Sequence, residues 1–273
     1  MKKRNVLNSP RLSELKSRRR KVFIIKIALA ALLALIVFGG LAYVAGARRL
    51  NITSVEVAGN KVVDRDVVKK AVEAKIAGKY LWLFPKTNIF LYPKNKIKRE
   101  LGNDFKRLKD IEISVRDNTV LQLTVQERAA AYLWCETEEK CYFMDTDGFI
   151  FDEAPYFSGE VYFKFYGPVS YGSYFLKETF EKFIPFKKTL EDMGLKPVGL
   201  SVLGDGELKI FLSSSSSARP EILLKTDADR EVIAENLQAA LTTEPLQSDF
   251  KNKYSSLLYI DLRFGNKVYY KFK

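Results

Sequence analysis

Histidine is absent from the 273-residue sequence, and cysteine occurs only twice. Without histidine the chain cannot form a Ser–His or Cys–His nucleophilic pair, and it cannot bind a metal through imidazole. Two cysteines are too few for a structural zinc site, and glycine-rich phosphate loops and nucleophile elbows are also missing. These absences predict a protein with no catalytic residues, no metal and no cofactor, which is therefore not an enzyme.

The sequence has one acidic cluster, formed by Asp145, Asp147, Asp152 and Glu153. It begins with D-x-D-G, which is similar to the start of a calcium loop. A calcium loop that starts at Asp145 needs a bidentate glutamate at its twelfth position, and that position is Tyr156. The cluster is therefore predicted to be an ordinary acidic turn.

The net charge of +12 lies mostly at one end of the chain. Residues 1–47 hold ten Lys/Arg and one acidic residue, a net charge of +9, which leaves +3 for all the rest. A basic segment of this kind sets membrane topology and attracts anionic lipid head groups. Neither nucleic acid nor a small-molecule substrate is predicted as a partner.

Directly after the basic segment comes an apolar stretch. Residues 22–47 contain one charge, Lys26, and about 20 apolar residues suffice for a helix to cross a hydrocarbon core of roughly 30 Å. The excess of basic residues before this stretch predicts that the N-terminus is cytoplasmic and that the rest of the chain is extracytoplasmic. The basic residues that create this bias are Lys2, Lys3, Arg4, Arg11, Lys16, Arg18, Arg19, Arg20 and Lys21.

Two alternatives to a membrane helix over residues 22–47 stay open. The sequence Ala45-Gly46-Ala47 has the form of a signal-peptide cleavage site, although the apolar region is longer than the roughly 7–15 residues typical of signal peptides. A buried core helix is the other alternative, and the basic residues on both sides of the run argue against it. We favour an uncleaved anchor behind a cytoplasmic basic tail, residues 1–21, of which residues 5–21 are expected to be disordered.

The residues beyond the anchor show two successive patterns that together predict an α+β fold. Residues 50–128 read β-α-α-β-β, and residues 129–273 read as a mainly antiparallel sheet with flanking helices on one face. The elements predicted for the first pattern are strand 52–57, helix 64–76 with Asp64 as its cap, helix 94–101, and strands 111–116 and 120–126 around an Asp117-Asn118 turn. Those predicted for the second include helix 174–193, interrupted by Pro185, helix 229–241, capped near Asp227, a low-complexity loop at 213–217, and a closing strand pair, 257–263 and 267–272.

Several short segments of these patterns carry a family resemblance. They are Ile52-x-x-Val55-x-Val57-x-Gly59-Asn60, Asn88-Ile89-Phe90, Ile111-x-Ile113-x-Val115, Val125-x-Glu127-Arg128, residues 142–151 (YFMDTDGFIF), and residues 259–264 (YIDLRF) followed by Asn266-Lys267-Val268. In this order behind one apolar helix, they resemble the FtsQ/DivIB family of bacterial cell-division proteins over roughly residues 22–273. The resemblance implies a POTRA domain over residues 50–128 and a β domain over residues 129–273.

The same resemblance implies a function. Proteins of this family are single-pass divisome scaffolds that link early and late division proteins at the septum of the inner (plasma) membrane. FtsB/DivIC-like and FtsL-like proteins are the implied partners, and the last two strands are the implied contact. In this sequence the resemblance places the contact at Arg263, Phe264, Lys267, Val268, Tyr269, Tyr270 and Lys271. The competing interpretation is a POTRA-bearing exported adaptor in envelope transport or secretion.

The final strand also predicts how a partner would bind. Alternation places Val268, Tyr270 and Phe272 on one face and the lysines on the other. As the last strand of an open sheet it should keep a free edge, to which a partner strand adds by β-augmentation, with Arg263 and Lys271 contacting its carboxylates. The alternative is an inert edge whose lysines serve solubility.

Two further features lead to predictions. Cys135 and Cys141 flank five polar residues, so a hairpin places them opposite each other at disulfide distance; two reduced thiols are the alternative. The aromatic run at residues 80–85 (YLWLFP) packs either as a lid over the neighbouring helices or, through Trp82 and Phe84, at the membrane interface.

Overall fold

The computed structural model describes residues 10–214 and 219–273, with side chains from residue 14 onward. The predicted basic residues Lys2, Lys3 and Arg4 and the side chain of Arg11 lie outside this range. Most of the predicted loop at 213–217 lies outside it too. Within the described residues the protein has a mixed α+β fold with one N-terminal apolar helix and a large mixed sheet.

The N-terminal helix, α1 (Pro10–Ala45), is long and apolar enough between residues 14 and 45 to cross a membrane. None of its most apolar window is buried, so the structure does not place it as a core helix. The expected disordered tail is wrong for residues 10–21, because they are helical. Leu, Lys and Arg are good helix formers, and they extend backward a helix that the apolar run has already nucleated.

The chain divides into two compact units. Unit 1 comprises the residues up to Leu101 together with Asp110–Val125, and unit 2 comprises Gly102–Lys109 and Gln126–Lys273. A short segment that lies between two elements of unit 1 in sequence, residues 102–109, therefore packs with unit 2.

Beyond α1, the described residues of unit 1 form a three-stranded sheet with two helices and a small hairpin. The sheet order is β1-β5-β4, and β1 runs parallel to β5. The bounds are β1 (Ser54–Ala58), α2 (Arg65–Ile76), β2 (Lys79–Tyr80), β3 (Phe84–Pro85), α3 (Lys94–Asp104), β4 (Leu108–Arg116) and β5 (Val120–Glu127). Both helices bury apolar side chains, among them Val68, Val72, Ile97 and Leu101, as do the strands with Val55, Val57, Leu121 and Leu123.

Local chemistry explains where these elements begin and end. Asp64 caps α2 as predicted, because its Oδ1 accepts hydrogen bonds from the backbone N–H groups of Asp66 and Val67. Asp117 and Asn118 both adopt left-handed φ values, as a tight hairpin between β4 and β5 requires. Polar caps and turn residues therefore set the limits of unit 1.

The described residues of unit 2 form a nine-stranded sheet with helices packed on a common hydrophobic core. Its strand order is β14-β13-β12-β11-β10-β9-β6-β7-β8. The strands are β6 (Tyr132–Cys135), β7 (Cys141–Met144), β8 (Ile150–Glu153), β9 (Lys164–Tyr166), β10 (Pro197–Val202), β11 (Glu207–Leu212), β12 (Glu221–Lys225), β13 (Leu257–Phe264) and β14 (Lys267–Phe272). The helices are α4 (Lys177–Asp192), α5 (Arg230–Leu241) and α6 (Leu246–Lys253).

This sheet is more mixed than the sequence predicts. Among the described strands, β12–β13, β9–β10 and β6–β9 pair in parallel, and the other neighbours pair antiparallel. The predicted interruption at Pro185 is wrong, since α4 continues through it with Phe183 and Phe186 buried on either side. Helix α6 is not among the predicted elements, and Asp229 rather than Asp227 caps α5.

Gly59, directly after β1, offers a test of unit 1. It adopts φ +89°, and a Cβ there would lie 2.1 Å from the backbone carbonyl oxygen of Val125 in β5. We expect Gly59→Ala to destabilise the protein by about 3 kcal/mol or more, because the backbone of β5 must move. Gly78 is the matched control: it has φ +85° but nothing within 4 Å of the added Cβ.

Gly78→Ala should cost only about 1–2 kcal/mol, the strain of the left-handed backbone alone. Denaturant unfolding of the full chain in detergent, followed by circular dichroism, measures both losses. Equal destabilisation by the two variants would show that the approach of Gly59 to β5 is not a tight contact.

Candidate functional site

Strands β13 and β14 form one end of the large sheet. They are joined by the two-residue turn Gly265-Asn266, in which Gly265 adopts φ +66°. In the part of the chain that the structure describes, β14 is the terminal strand, and no other strand pairs with its outer edge. Among the described strands, β14 therefore lies at an open edge of the sheet, as predicted.

The two faces of β14 differ as the alternation predicts. Val268, Tyr270 and Phe272 are half-buried and pack against the core of unit 2. Lys267, Tyr269 and Lys271 are exposed on the opposite face. One face of β14 thus holds the strand on the sheet, while the other faces solvent.

The hydrogen bonds of β14 determine which backbone groups are free. The N–H of Lys273 donates to the carbonyl of Ser256 at 2.9 Å, on the side of β13. Because successive N–H groups of a strand alternate in direction, those of Tyr269 and Lys271 also point toward β13. The N–H and C=O groups of Val268, Tyr270 and Phe272 therefore point to the open edge.

A bulge in β13 lies opposite Val268, near the start of β14. Asp261 pairs with Tyr269 and Phe264 pairs with Lys267, so two residues of β13 oppose the single residue Val268. Bulges bend and twist a strand pair locally, and they occur preferentially at sheet edges. The bulge was not predicted, because it depends on the pairing of two strands.

Arg263, one of the two bulged residues, is held by carboxylates of its own chain. Its Nη1 donates to both carboxylate oxygens of Glu207 at 2.9 Å, and its Nε and Nη2 donate to Asp261 at 2.9 and 2.6 Å. These hydrogen bonds, first of all those to Asp261, raise the pKa of Arg263. Burial alone would raise the pKa of Asp261, but its bonds to Arg263 outweigh burial and hold that pKa below its ordinary value of 3.8.

The predicted contact of Arg263 with a partner's carboxylates has to be revised for this reason. Its guanidinium already binds two carboxylates, whereas Lys267 and Lys271 form no ion pair with any residue among 10–214 and 219–273. The charges available to an acidic partner are those of β14. The role of Arg263 is to tie β13 to β11 through Glu207.

The exposed face also carries an aromatic pair. Phe264 is 56% exposed, and its ring meets that of Tyr269 edge-on, with centroids 5.4 Å apart. Both residues are in the predicted contact set, but their pairing results from the turn that brings the strand ends together. The pair provides apolar surface beside the open edge.

The other residues singled out in the sequence lie elsewhere in unit 2. Cys135 and Cys141 are opposite each other in the β6–β7 pair and form a disulfide with a Cα–Cα distance of 4.0 Å. Both cysteines are buried, in a small cluster with Leu133. The bond closes the base of the five-residue loop between the two strands.

The acidic cluster is engaged by cations from the preceding segment. Asp145 binds Arg128, Asp147 binds Lys109 at 2.6 Å, and Asp152 binds Arg107. The Lys109 ammonium lowers the pKa of Asp147 through their hydrogen bond. The Arg128–Asp145 pair is nearly buried, with the Arg128 guanidinium 4.0 Å from the ring centroid of Phe149. These carboxylates thus pair with cations that join residues 102–109 and 128 to the β7–β8 turn.

The chain matches no protein-family model, and no curated protein matches it. The function therefore has to be argued from the geometry of its own residues.

The Arg263 network leads to a stability prediction. We expect Asp261→Asn to destabilise the protein by about 1–3 kcal/mol at pH 7, because Arg263 loses its more buried partner. Since the pKa of Asp261 is lowered on folding, its contribution is complete above pH 3.8 and disappears as the pH falls through the folded-state pKa. The variant should therefore lose less stability than the wild type as the pH falls below 3.8.

Denaturant unfolding at several pH values measures this difference. Glu207→Gln is the control, because Glu207 is more exposed and its loss leaves Arg263 paired with Asp261. An acid dependence identical in the wild type and Asp261→Asn would contradict the prediction.

The disulfide gives a second prediction. Protein purified without reductant should show no alkylatable thiol, and reduction should expose two. Because the bond constrains the unfolded chain over a short loop, reduction should lower the free energy of unfolding by roughly 2 kcal/mol. Mass spectrometry after alkylation checks the first result; two reactive thiols in the unreduced protein would refute it.

Proposed function

We propose that this chain is a non-enzymatic divisome scaffold of the FtsQ/DivIB type. It spans the inner (plasma) membrane once through α1, with its N-terminus in the cytoplasm and both folded units outside. At the division septum it links early and late division proteins through extracytoplasmic contacts. FtsB/DivIC-like and FtsL-like proteins are its partners.

The observation that carries this proposal is the open edge of β14. A strand edge with free N–H and C=O groups is a template for another strand, and proteins normally protect such edges. Here the edge is accompanied by Lys267 and Lys271, which form no ion pair within residues 10–214 and 219–273, and by the exposed Phe264–Tyr269 pair. These features favour a surface used for binding over an inert edge.

The contact is β-augmentation. A partner strand binds the backbone groups of Val268, Tyr270 and Phe272, which provide the affinity common to all added strands. Lys267 and Lys271 attract an acidic segment and select the register, since charge complementarity adds to specificity and association rate. The Phe264–Tyr269 pair covers apolar side chains of the partner.

The architecture of unit 1 supports the finer domain assignment. The order β1-α2-α3-β4-β5, with β1 parallel to β5 in a three-stranded sheet, favours a POTRA domain over residues 50–128. Residues 129–273 are then the β domain. The cations Arg107, Lys109 and Arg128 belong to unit 2 and bind its carboxylates Asp152, Asp147 and Asp145.

The orientation of α1 rests on charge. Arg18, Arg19, Arg20 and Lys21 precede the apolar run as exposed helical residues, and most of the chain's net charge lies on that side. Such an excess of Lys and Arg favours retention in the cytoplasm.

Proline substitution in β14 tests the edge. Val268→Pro removes an N–H that points outward and keeps a side chain of similar size, so the fold should persist. Its affinity for the FtsB/DivIC-like protein of the same organism should fall at least about tenfold, because one backbone hydrogen bond is lost and the proline ring blocks the edge. Binding of purified full-length variants is measured by biolayer interferometry.

Val268→Ala is the matched control, because it loses more side chain but keeps the N–H, and it should bind like the wild type. Tyr269→Pro removes an inward N–H and should destabilise the sheet instead. A folded Val268→Pro variant with unchanged affinity would refute the edge site. A fluorescent fusion distributed evenly around the membrane would instead favour the envelope-transport adaptor.

A further inference from the structure

The β2–β3 hairpin of unit 1 exposes large apolar side chains at its tip. Leu81 is 73% exposed and Trp82 is 91% exposed. Both also adopt left-handed φ values, 48° and 60°, which glycine and asparagine tolerate far better than leucine and tryptophan. A turn with strained backbone and exposed apolar side chains is unfavourable in water, so an apolar environment would stabilise it.

The hairpin lies against the membrane-crossing helix. The ring of Phe84 in β3 meets that of Phe38 in α1 edge-on, with centroids 5.0 Å apart. Phe38 precedes the end of α1 at Ala45 by nearly two turns, or about 10 Å along the axis. The hairpin therefore lies beside the last two turns of the helix and not beyond its end.

Two side-chain amides, one buried and one half-buried, join the same region to the end of α1. The side-chain Nδ2 groups of Asn88 and Asn51 both donate to the carbonyl oxygen of Ala45, at 3.0 and 2.9 Å. The carbonyls at a helix C-terminus lack intrahelical partners, and in an apolar environment each must be satisfied by the protein. These bonds hold residues 87–91 and the helix end in one fixed arrangement.

Between them is an apolar groove of about 470 Å³. It is lined by Leu41, Val44, Leu50, Tyr80, Phe84 and Leu91, and Phe90 at its rim is 79% exposed. Arg48 and Arg49 follow the helix end directly; they are exposed and form no ion pair within the described ranges 10–214 and 219–273. An apolar groove beside two free cations matches the chemistry of a phospholipid, with its acyl chain below its phosphate.

The length of the apolar run agrees with this position. The apolar part of α1, residues 22–45, extends about 36 Å, more than the roughly 30 Å that a hydrocarbon core requires. Lys26 can reach the head groups from the other end through its flexible stem. The surplus apolar length then lies at the Ala45 end, beside the hairpin, at the depth where tryptophan is enriched.

We propose that the hairpin tip and this groove form a lipid-binding surface: Leu81, Trp82 and Phe90 insert into the membrane interface at the Ala45 end of α1, and a bilayer phospholipid occupies the groove. Arg48 and Arg49 lie at the level of its phosphate. This surface orients unit 1 against the bilayer. The inference does not depend on the scaffold proposal, since it concerns lipid and not a division partner.

Lipid quenching of tryptophan fluorescence tests the proposal. The chain has two tryptophans, and Trp134 is buried in the core of unit 2. Full-length protein is reconstituted in phosphatidylcholine–phosphatidylglycerol vesicles with and without phosphatidylcholine brominated along its acyl chains. The Trp82 emission, obtained as the difference between the wild type and Trp82→Phe, should fall at least twofold with brominated lipid.

Phe90→Asp places a carboxylate on the proposed surface at an exposed position, and it should reduce this quenching by at least half. Val67→Asp is the matched control, since Val67 is an exposed apolar residue of α2 outside the groove, and it should have no effect. Trp82 emission that is insensitive to brominated lipid, or quenching unaffected by Phe90→Asp, would overturn the proposal. Insensitivity to lipid would instead assign the surface to a protein partner.

Discussion

The unpartnered apolar surface of α1 is the constraint on which the rest of the structure depends. Its most apolar window is unburied, so these side chains lack the apolar environment that a protein core would supply, and the length and composition of the helix fit a membrane-spanning segment. The side-chain amides of Asn51 and Asn88 donate hydrogen bonds to the last carbonyl of the helix. The folded part of unit 1 is therefore bonded directly to the end of α1.

Unit 2 has its own core, and β14 lies at one end of its sheet. Its sheet buries one face of β14 and leaves the outer backbone edge open among the described strands. The bulge opposite Val268 places Arg263 where it can bind Glu207 and Asp261. These ion pairs link β13, the neighbour of the edge strand, to β11.

Much of the fold could be predicted because it follows from local rules. The apolar run, the Asp64 cap, the Asp117-Asn118 turn and the alternation in β14 each depend on a few neighbouring residues. The predictions were wrong where the structure of a segment depends on the residues that it adjoins or packs against. Residues 10–21 are helical because they continue a helix, and α4 passes through Pro185 because its flanking phenylalanines are buried.

The sequence by itself determined which segment is long and apolar enough to cross a membrane and which segments turn or alternate between buried and exposed faces, because periodicity and charge act over short distances. Only the tertiary structure decided which charges stay free. Arg263 and Lys271 are both basic residues near the end of the chain, yet Arg263 binds Glu207, a residue 56 positions away, while Lys271 faces solvent. It also decided that Phe84 contacts Phe38, which are 46 positions apart. Such pairings depend on strand register and helix packing, and those are properties of the assembled core rather than of any one segment.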